Sequence, residues 1–126
     1  MNFSGMLKEG ALKDKVILIT GGGTGLGKSM GKYFMELGAH LIITSRRQKV
    51  LDETAAEFND YNGEVLPISG DVRDHKDVKR IIESSLDKFG KIDCLLNNAA
   101  GNFISPTERL TPKAFDVIID IVLKGT

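Results

Sequence analysis

Four short apolar segments alternate with four amphipathic segments along this chain of 126 residues, and this alternation limits the fold more than any other feature. The apolar segments are brief and rich in β-branched residues, which predicts strands. The predicted strands are Lys15–Thr20, His40–Thr44, Glu64–Ser69 and Lys91–Asn97. Strands that are apolar on both faces and separated by helices form a parallel sheet that is covered on both sides. The sequence therefore predicts the α/β class with a doubly wound parallel sheet.

The amphipathic segments carry the start and stop signals of helices. Serine, threonine and aspartate cap the N-terminus of a helix, proline fits its first position and glycine follows its last residue. Gly38 is expected to follow the first helix, and the second helix is predicted at Val50–Tyr61. The third helix is predicted to begin after Asp74 and to end at Phe89, and the fourth to begin at Thr111 and Pro112. The chain stops at a helix end, where another strand is expected, so we interpret residues 1–126 as the N-terminal part of a larger domain.

Composition excludes several classes of partner. The 17 basic and 17 acidic residues give a net charge of zero, so no overall field attracts nucleic acid or an anionic membrane. The one cysteine, Cys94, cannot form an intrachain disulfide or a metal cluster, and its apolar neighbours predict a buried, reduced thiol. The sequence shows neither a signal segment nor an apolar run of membrane-spanning length. We therefore expect no metal, no membrane and a cytoplasmic protein.

A glycine-rich turn, TGGGTGLGKS, joins the first strand to the first helix. Its backbone N–H groups and the helix N-terminus favour an anion such as a phosphate. Gly22–Ser29 satisfies the P-loop pattern G-x-x-x-x-G-K-[ST] of nucleoside triphosphate sites. The dinucleotide pattern G-x-G-x-x-G is not met, but a spaced variant with Gly21, Gly25 and Gly27 is. The turn by itself leaves both kinds of nucleotide open.

The end of the second strand bears on this choice. Dinucleotide-binding folds hold the adenosine ribose there, with an acidic residue for NAD or a basic residue for the 2′-phosphate of NADP. Here Ser45 supplies no carboxylate, while the guanidinium of Arg46 matches a phosphate geometrically. We interpret Arg47 as a solvated side chain. The pattern favours NADP(H).

The third strand is followed by Gly-Asp-Val, with the aspartate at position 71. Asp71 is suited either to accept a hydrogen bond from the adenine amino group or to act as a turn residue before a helix, and the sequence favours neither. A P-loop enzyme would need a strand-end aspartate to hold Mg²⁺. Asp71 is a poor candidate for that role, and the fourth strand ends in amides.

The ordered trio TGGGTGLG, GDV and NNAAG resembles the short-chain dehydrogenase/reductase family over nearly the whole chain. The resemblance implies a Rossmann-type sheet with NADP(H) lying across its carboxyl edge. It also implies that the small residues Ala99, Ala100 and Gly101 let the cofactor ribose approach the backbone, while Asn97 and Asn98 brace the strand end. The cofactor residues implied are Gly21, Gly22, Gly23, Thr24, Gly25, Leu26, Gly27, Arg46, Asp71, Val72, Asn98 and Ala99.

The segment after Gly101 looks like the NADPH-dependent 2,4-dienoyl-CoA reductases of that family. Most other members carry an asparagine of a proton relay where this chain has Val122, and alcohol/ketone chemistry is therefore in doubt. By this resemblance Asn102 donates a hydrogen bond to the thioester oxygen, which gains negative charge as hydride adds to the diene. Phe103 and Thr111 are implied to line an acyl-CoA pocket. The alternative for Asn102 is a turn residue that satisfies loop backbone.

The family's catalytic tyrosine and lysine are missing from the chain. Neither tyrosine has a lysine four residues later: Leu37 stands four residues after Tyr33, and Val65 stands four residues after Tyr61. We therefore expect an NADP-binding Rossmann portion, inactive alone, of a reductase acting on dienoyl-CoA in unsaturated fatty acid β-oxidation, and by resemblance a tetramer when complete. The alternatives are another short-chain reductase, for 3-oxoacyl or sugar substrates, and a P-loop nucleotide-binding module.

Overall fold

The computed structural model describes residues 6–102 and 104–126. Strands and helices alternate as the sequence predicts, with boundaries within a few residues of the predicted ones. The elements are β1 (Val16–Thr20), α1 (Gly25–Glu36), β2 (His40–Ser45), α2 (Gln48–Glu57), β3 (Val65–Ser69), α3 (His75–Phe89), β4 (Cys94–Leu96), a 3₁₀ turn (Thr107–Arg109), α4 (Pro112–Ile119) and a π-helical turn (Asp120–Lys124).

The four strands form one parallel sheet in the order β3-β2-β1-β4. Alternate residues of the strands enter two cores. On one face Ile19 and Ile43 pack with Leu51 of α2, and on the other Leu18 packs with Ile81 of α3. The sheet is therefore covered by helices on both sides, and the predicted doubly wound architecture is confirmed. All carboxyl ends of the strands consequently lie along the same edge.

The predicted helix caps are present. The Asp74 side chain accepts a hydrogen bond from the Lys76 N–H at 2.8 Å, and Gly90 follows α3 with a φ of 73°. Thr111 Oγ1 accepts from the Ala114 N–H at 3.2 Å, with proline at the first helical position. These signals depend on nearest neighbours along the chain, which is why the sequence was sufficient to predict them.

The two edge strands differ from the buried pair. On β3, the Gln48 side chain accepts from the Ser69 N–H at 2.8 Å and donates to the Pro67 carbonyl at 3.3 Å, so part of this edge is satisfied. On β4, Cys94 is exposed, and the prediction of a buried thiol is wrong. The reason is that β4 pairs only with β1 in the described sheet, which leaves its other side uncovered; Leu95 is 52% exposed for the same reason.

In the described ranges, none of the helices combines the length and the apolar character that crossing a bilayer requires.

Candidate functional site

A cavity of about 570 Å³ opens at the carboxyl edge of the sheet. Segments that follow all four strands line it, because parallel pairing brings their ends to one edge. Ten of the twelve predicted cofactor residues contribute to its wall: Gly21, Gly23, Thr24, Gly25, Leu26, Arg46, Asp71, Val72, Asn98 and Ala99. The structure therefore brings together residues that lie far apart in the sequence.

The glycine-rich turn forms one wall of the cavity. Gly21 adopts a φ of 70°, which glycine tolerates far better than other residues, and its N–H donates to the Thr44 carbonyl at 2.8 Å. A Cβ on Gly27 would lie 2.4 Å from the Gly21 oxygen. Gly22 and Gly27 are buried beneath the cavity rather than exposed to it, so their role is to permit close packing. The N-terminus of α1, at Gly25, consequently faces the cavity.

Thr20 joins the first and fourth strand ends, a role that the sequence analysis missed. Its Oγ1 accepts hydrogen bonds from the N–H groups of Asn98 at 3.0 Å and Ala99 at 2.9 Å. The Asn98 side chain in turn donates to the carbonyls of Thr20 at 3.0 Å and Gly21 at 3.3 Å. The predicted bracing by Asn98 is thus present, and a threonine directly before the glycine turn was the available signal for its partner.

Thr54 is a second residue that sequence reasoning missed. It lies on α2, is 1% exposed, and its hydroxyl donates to the Gly23 carbonyl at 2.8 Å. The helix packed behind the turn therefore fixes one of the turn's peptide groups. A threonine on the inward face of an amphipathic helix was the only signal, and such residues are usually core residues.

The end of β2 supplies positive charge to the cavity. Ser45, Arg46 and Arg47 all line it, and Arg46 is exposed. Lys28, the lysine of the P-loop pattern, does not line the cavity. Its ammonium lies 2.7 Å from the Glu57 carboxylate of α2. In a P-loop this lysine reaches the β- and γ-phosphates, so its position here disfavours a triphosphate site.

Asp71 follows β3 and is paired with Arg73, a residue that the sequence analysis did not consider. The guanidinium contacts both carboxylate oxygens, the shortest contact being 2.5 Å from Nη2 to Oδ2. These hydrogen bonds outweigh partial burial and lower the pKa of Asp71 to about 2, with a smaller contribution from the charge of Arg46. Asp71 is therefore ionised at neutral pH and can only accept hydrogen bonds.

The residues predicted for catalysis and substrate binding do not gather at this cavity. Asn102 is exposed and does not line it. Thr111 caps α4 and is also absent from its wall. Phe103 lies outside the described residues. Within the described residues the arrangement is therefore a cavity of about 570 Å³ with the glycine turn on one wall and cationic side chains on another, and no group of metal-ligating side chains occurs there.

Comparison with known proteins agrees with this geometry. The family model described as short chain dehydrogenase matches residues 15–126. The probable 2,4-dienoyl-CoA reductase 3 of Caenorhabditis elegans is 50% identical over 98% of this chain and 40% of its own. The peroxisomal 2,4-dienoyl-CoA reductase of Rattus norvegicus is 42% identical over 91% of this chain and 40% of its own. The chain thus spans about 40% of the length of these curated relatives.

A solved structure extends the comparison. The 3-ketoacyl-(acyl-carrier-protein) reductase of Brucella melitensis, complexed with NADH, superposes with a TM-score of 0.83 at 35% sequence identity. The match covers 90% of this chain and 46% of that one. The parallel sheet with flanking helices described above is therefore the Rossmann-type fold of short-chain dehydrogenases.

Proposed function

We propose, from the premise that this chain belongs to the short chain dehydrogenase family, that residues 1–126 are the nucleotide-binding part of an NADPH-dependent 2,4-dienoyl-CoA reductase. The observation that carries the proposal is the common cavity of the glycine turn and Arg46. The glycine turn supplies backbone donors for a pyrophosphate, and Arg46 supplies a guanidinium for a further phosphate.

The cavity's residues fit a dinucleotide. Its volume of about 570 Å³ lies within the usual range of small-molecule sites. Gly21, Gly23 and Gly25 line the cavity without side chains, which leaves room for a ligand to approach the backbone closely. Ionised Asp71 is suited to accept from the adenine amino group, although Arg73 already uses both of its oxygens. Val72 and Ala99 add apolar surface to the same cavity.

The preference for NADPH rests on the end of β2. Arg46 is exposed at the cavity, and Ser45 contributes no negative charge that would repel a 2′-phosphate. The Brucella relative was solved with NADH, so the family alone does not select the cofactor. Charge complementarity at Arg46 is what favours NADP(H) in this chain.

The substrate assignment is supported by the relatives named as 2,4-dienoyl-CoA reductases. Val122 also supports it, because most other family members carry the asparagine of a proton relay at that position. When bound, NADPH would supply the hydride for reduction. Asn102 would donate a hydrogen bond to the thioester oxygen as negative charge develops there. Thr111 would line the acyl-CoA pocket; its Oγ1 accepts from the Ala114 N–H, which leaves its own hydrogen free to donate. Phe103 would add apolar surface to that pocket.

Another short-chain reductase is the second candidate, because a 3-ketoacyl reductase shares the fold. The Lys28–Glu57 ion pair disfavours the P-loop candidate. A tetrameric complete enzyme stays a prediction, and so does a cytoplasmic location, since the rat relative is named as peroxisomal.

Ligand titration of the full-length protein tests the proposal. We expect NADPH to bind more tightly than NADH, and Mg²⁺-ATP to bind weakly. NADPH oxidation with a 2,4-dienoyl-CoA should then exceed that with a 3-oxoacyl-CoA. Higher turnover of the 3-oxoacyl thioester would favour the second candidate, and tight Mg²⁺-ATP binding that Lys28→Ala abolishes would favour the P-loop.

A further inference from the structure

The helix α2 contacts the glycine-rich turn and the first turn of α1 in three places. Thr54 Oγ1 donates to the Gly23 carbonyl at 2.8 Å in the middle of the helix. A Cβ on Gly23 would meet Leu51 Cδ2 at 3.2 Å, so the turn lies directly against the helix surface. The Lys28 ammonium pairs with Glu57 near the C-terminus of α2. The turn is therefore supported from behind by a helix that does not belong to its own strand–turn–helix unit.

Of these contacts, only the Thr54 hydrogen bond fixes the direction of a peptide group. The hydroxyl is buried, and it holds the carbonyl of the peptide bond between Gly23 and Thr24. A trans peptide is planar, with its C=O and N–H pointing in opposite directions. A carbonyl held toward α2 thus turns the Thr24 N–H away from α2. Gly23 and Thr24 both line the cavity, whereas Thr54 does not.

We propose that Thr54 is a positioning residue for the pyrophosphate of the bound nucleotide, acting through the Gly23–Thr24 peptide. The inference rests on the proposed function, because it assigns the turn to a dinucleotide. Without the hydroxyl, the Gly23 carbonyl is left buried and unpaired and gains by rotating toward water. Such a rotation also turns the Thr24 N–H away from the direction suited to an anion. Ligands that contain a pyrophosphate should lose affinity, and ligands that lack one should not.

The test is a comparison of ligands in the full-length protein. Thr54→Val keeps the shape of the side chain but removes the hydroxyl, and Thr54→Ser keeps the hydroxyl. We expect Thr54→Val to lower the affinities for NADPH and NADH each by on the order of tenfold. The affinities for 2′-AMP and 5′-AMP should change by less than about twofold. Thr54→Ser should bind all four ligands nearly as the wild type does. Isothermal titration calorimetry measures all of these affinities.

A matched control separates positioning from general loss of structure. Ser85 on α3 is also fully buried, and its hydroxyl donates to a helix carbonyl, that of Ile81, at 2.6 Å. Ser85→Ala should lower the melting temperature and leave the ratio of NADH to 5′-AMP affinity unchanged. Should Thr54→Val fail to fold, Thr54→Ala carries the same test with the same expected result, because it also removes the hydroxyl that donates to the Gly23 carbonyl.

Three results would overturn the inference: equal losses for dinucleotides and mononucleotides, unchanged dinucleotide affinity in Thr54→Val, or a Thr54→Ser variant as weak as Thr54→Val. The proposed preference for NADPH is contradicted by a different result from the one that contradicts the role of Thr54. A wild-type protein that prefers NADH to NADPH contradicts the role of Arg46, yet the loss of NADH affinity still reports on Thr54. A wild type that binds neither dinucleotide contradicts both.

Discussion

Thr20 and Asn98 hold the ends of β1 and β4 together through two hydrogen bonds, both donated by Asn98 and each 3.0 Å long. The Asn98 N–H donates to Thr20 Oγ1, and the Asn98 side-chain amide donates to the Thr20 carbonyl. Because Gly21, which follows Thr20, lines the cavity together with Asn98 and Ala99, the pair sets the position of the end of β4 relative to the glycine turn.

Removing the Thr20 hydroxyl should therefore destabilise the fold. Thr20→Val leaves the N–H groups of Asn98 and Ala99 without their acceptor, and we expect a loss of about 2 to 4 kcal/mol in the free energy of unfolding. Thr20→Ser, which keeps the acceptor, should lose less than about 1 kcal/mol. Urea denaturation of the full-length protein measures both, and equal losses would contradict a dominant role for the hydroxyl, because Thr20→Ser removes only the methyl group.

Reversing the charge of Arg46 should change cofactor preference. A charge-assisted contact contributes about 1.5 to 3 kcal/mol, so Arg46→Asp should lower the affinity for NADPH roughly ten- to a hundredfold. The affinity for NADH should stay unchanged or increase. Lys49→Asp is the matched control, because Lys49 lies on α2 with its side chain 90% exposed and outside the cavity. Similar losses of NADPH and NADH affinity in Arg46→Asp would contradict a 2′-phosphate contact.

The Asp71–Arg73 pair predicts a pH-dependent contribution to stability. The pKa of Asp71 is lowered to about 2 in the folded protein, from an ordinary value near 3.9 when unfolded. Its stabilising contribution is therefore complete above about pH 4 and is lost as the pH falls toward 2. The pair is partly exposed, so we expect no more than about 1 kcal/mol.

Asp71→Asn is the variant that measures this contribution. The difference in unfolding free energy between wild type and variant, without cofactor, should be present at pH 6 and shrink toward pH 2.5. Arg73→Met should show the same trend, since it removes the partner. A difference that does not vary with pH would mean that the carboxylate's charge is not what stabilises the protein.

Asn102 gives a test of the proposed chemistry. If its amide donates to the thioester oxygen, Asn102→Ala in the full-length enzyme should lower kcat about a hundredfold with little change in NADPH affinity. Asn102→Asp should be worse, because a carboxylate offers no donor and repels the developing charge. A loop-bracing role predicts instead a lower melting temperature for both variants and nearly normal kcat per folded molecule, which steady-state kinetics and melting curves together resolve.

The sequence by itself determined the order of strands and helices, the doubly wound class and the caps at Asp74 and Thr111. These features follow from apolar periodicity and from hydrogen bonds between near neighbours. The glycine turn was also predictable, because a positive φ at Gly21 is a local steric requirement. Strand ends that carry polar or small residues marked most of the cavity wall, since parallel pairing brings such ends to one edge.

Tertiary structure alone decided which side chains meet there. Thr20 and Asn98 are 78 residues apart and Thr54 and Gly23 are 31 apart, so their hydrogen bonds depend on strand register and helix packing rather than on local pattern. The same dependence explains Lys28, which a P-loop pattern assigns to phosphate but α2 draws to Glu57. It also explains Cys94, whose apolar neighbours predict burial although β4 pairs with a single strand among the described residues. Short-range rules carry no information about such contacts, because the chain must first fold to create them.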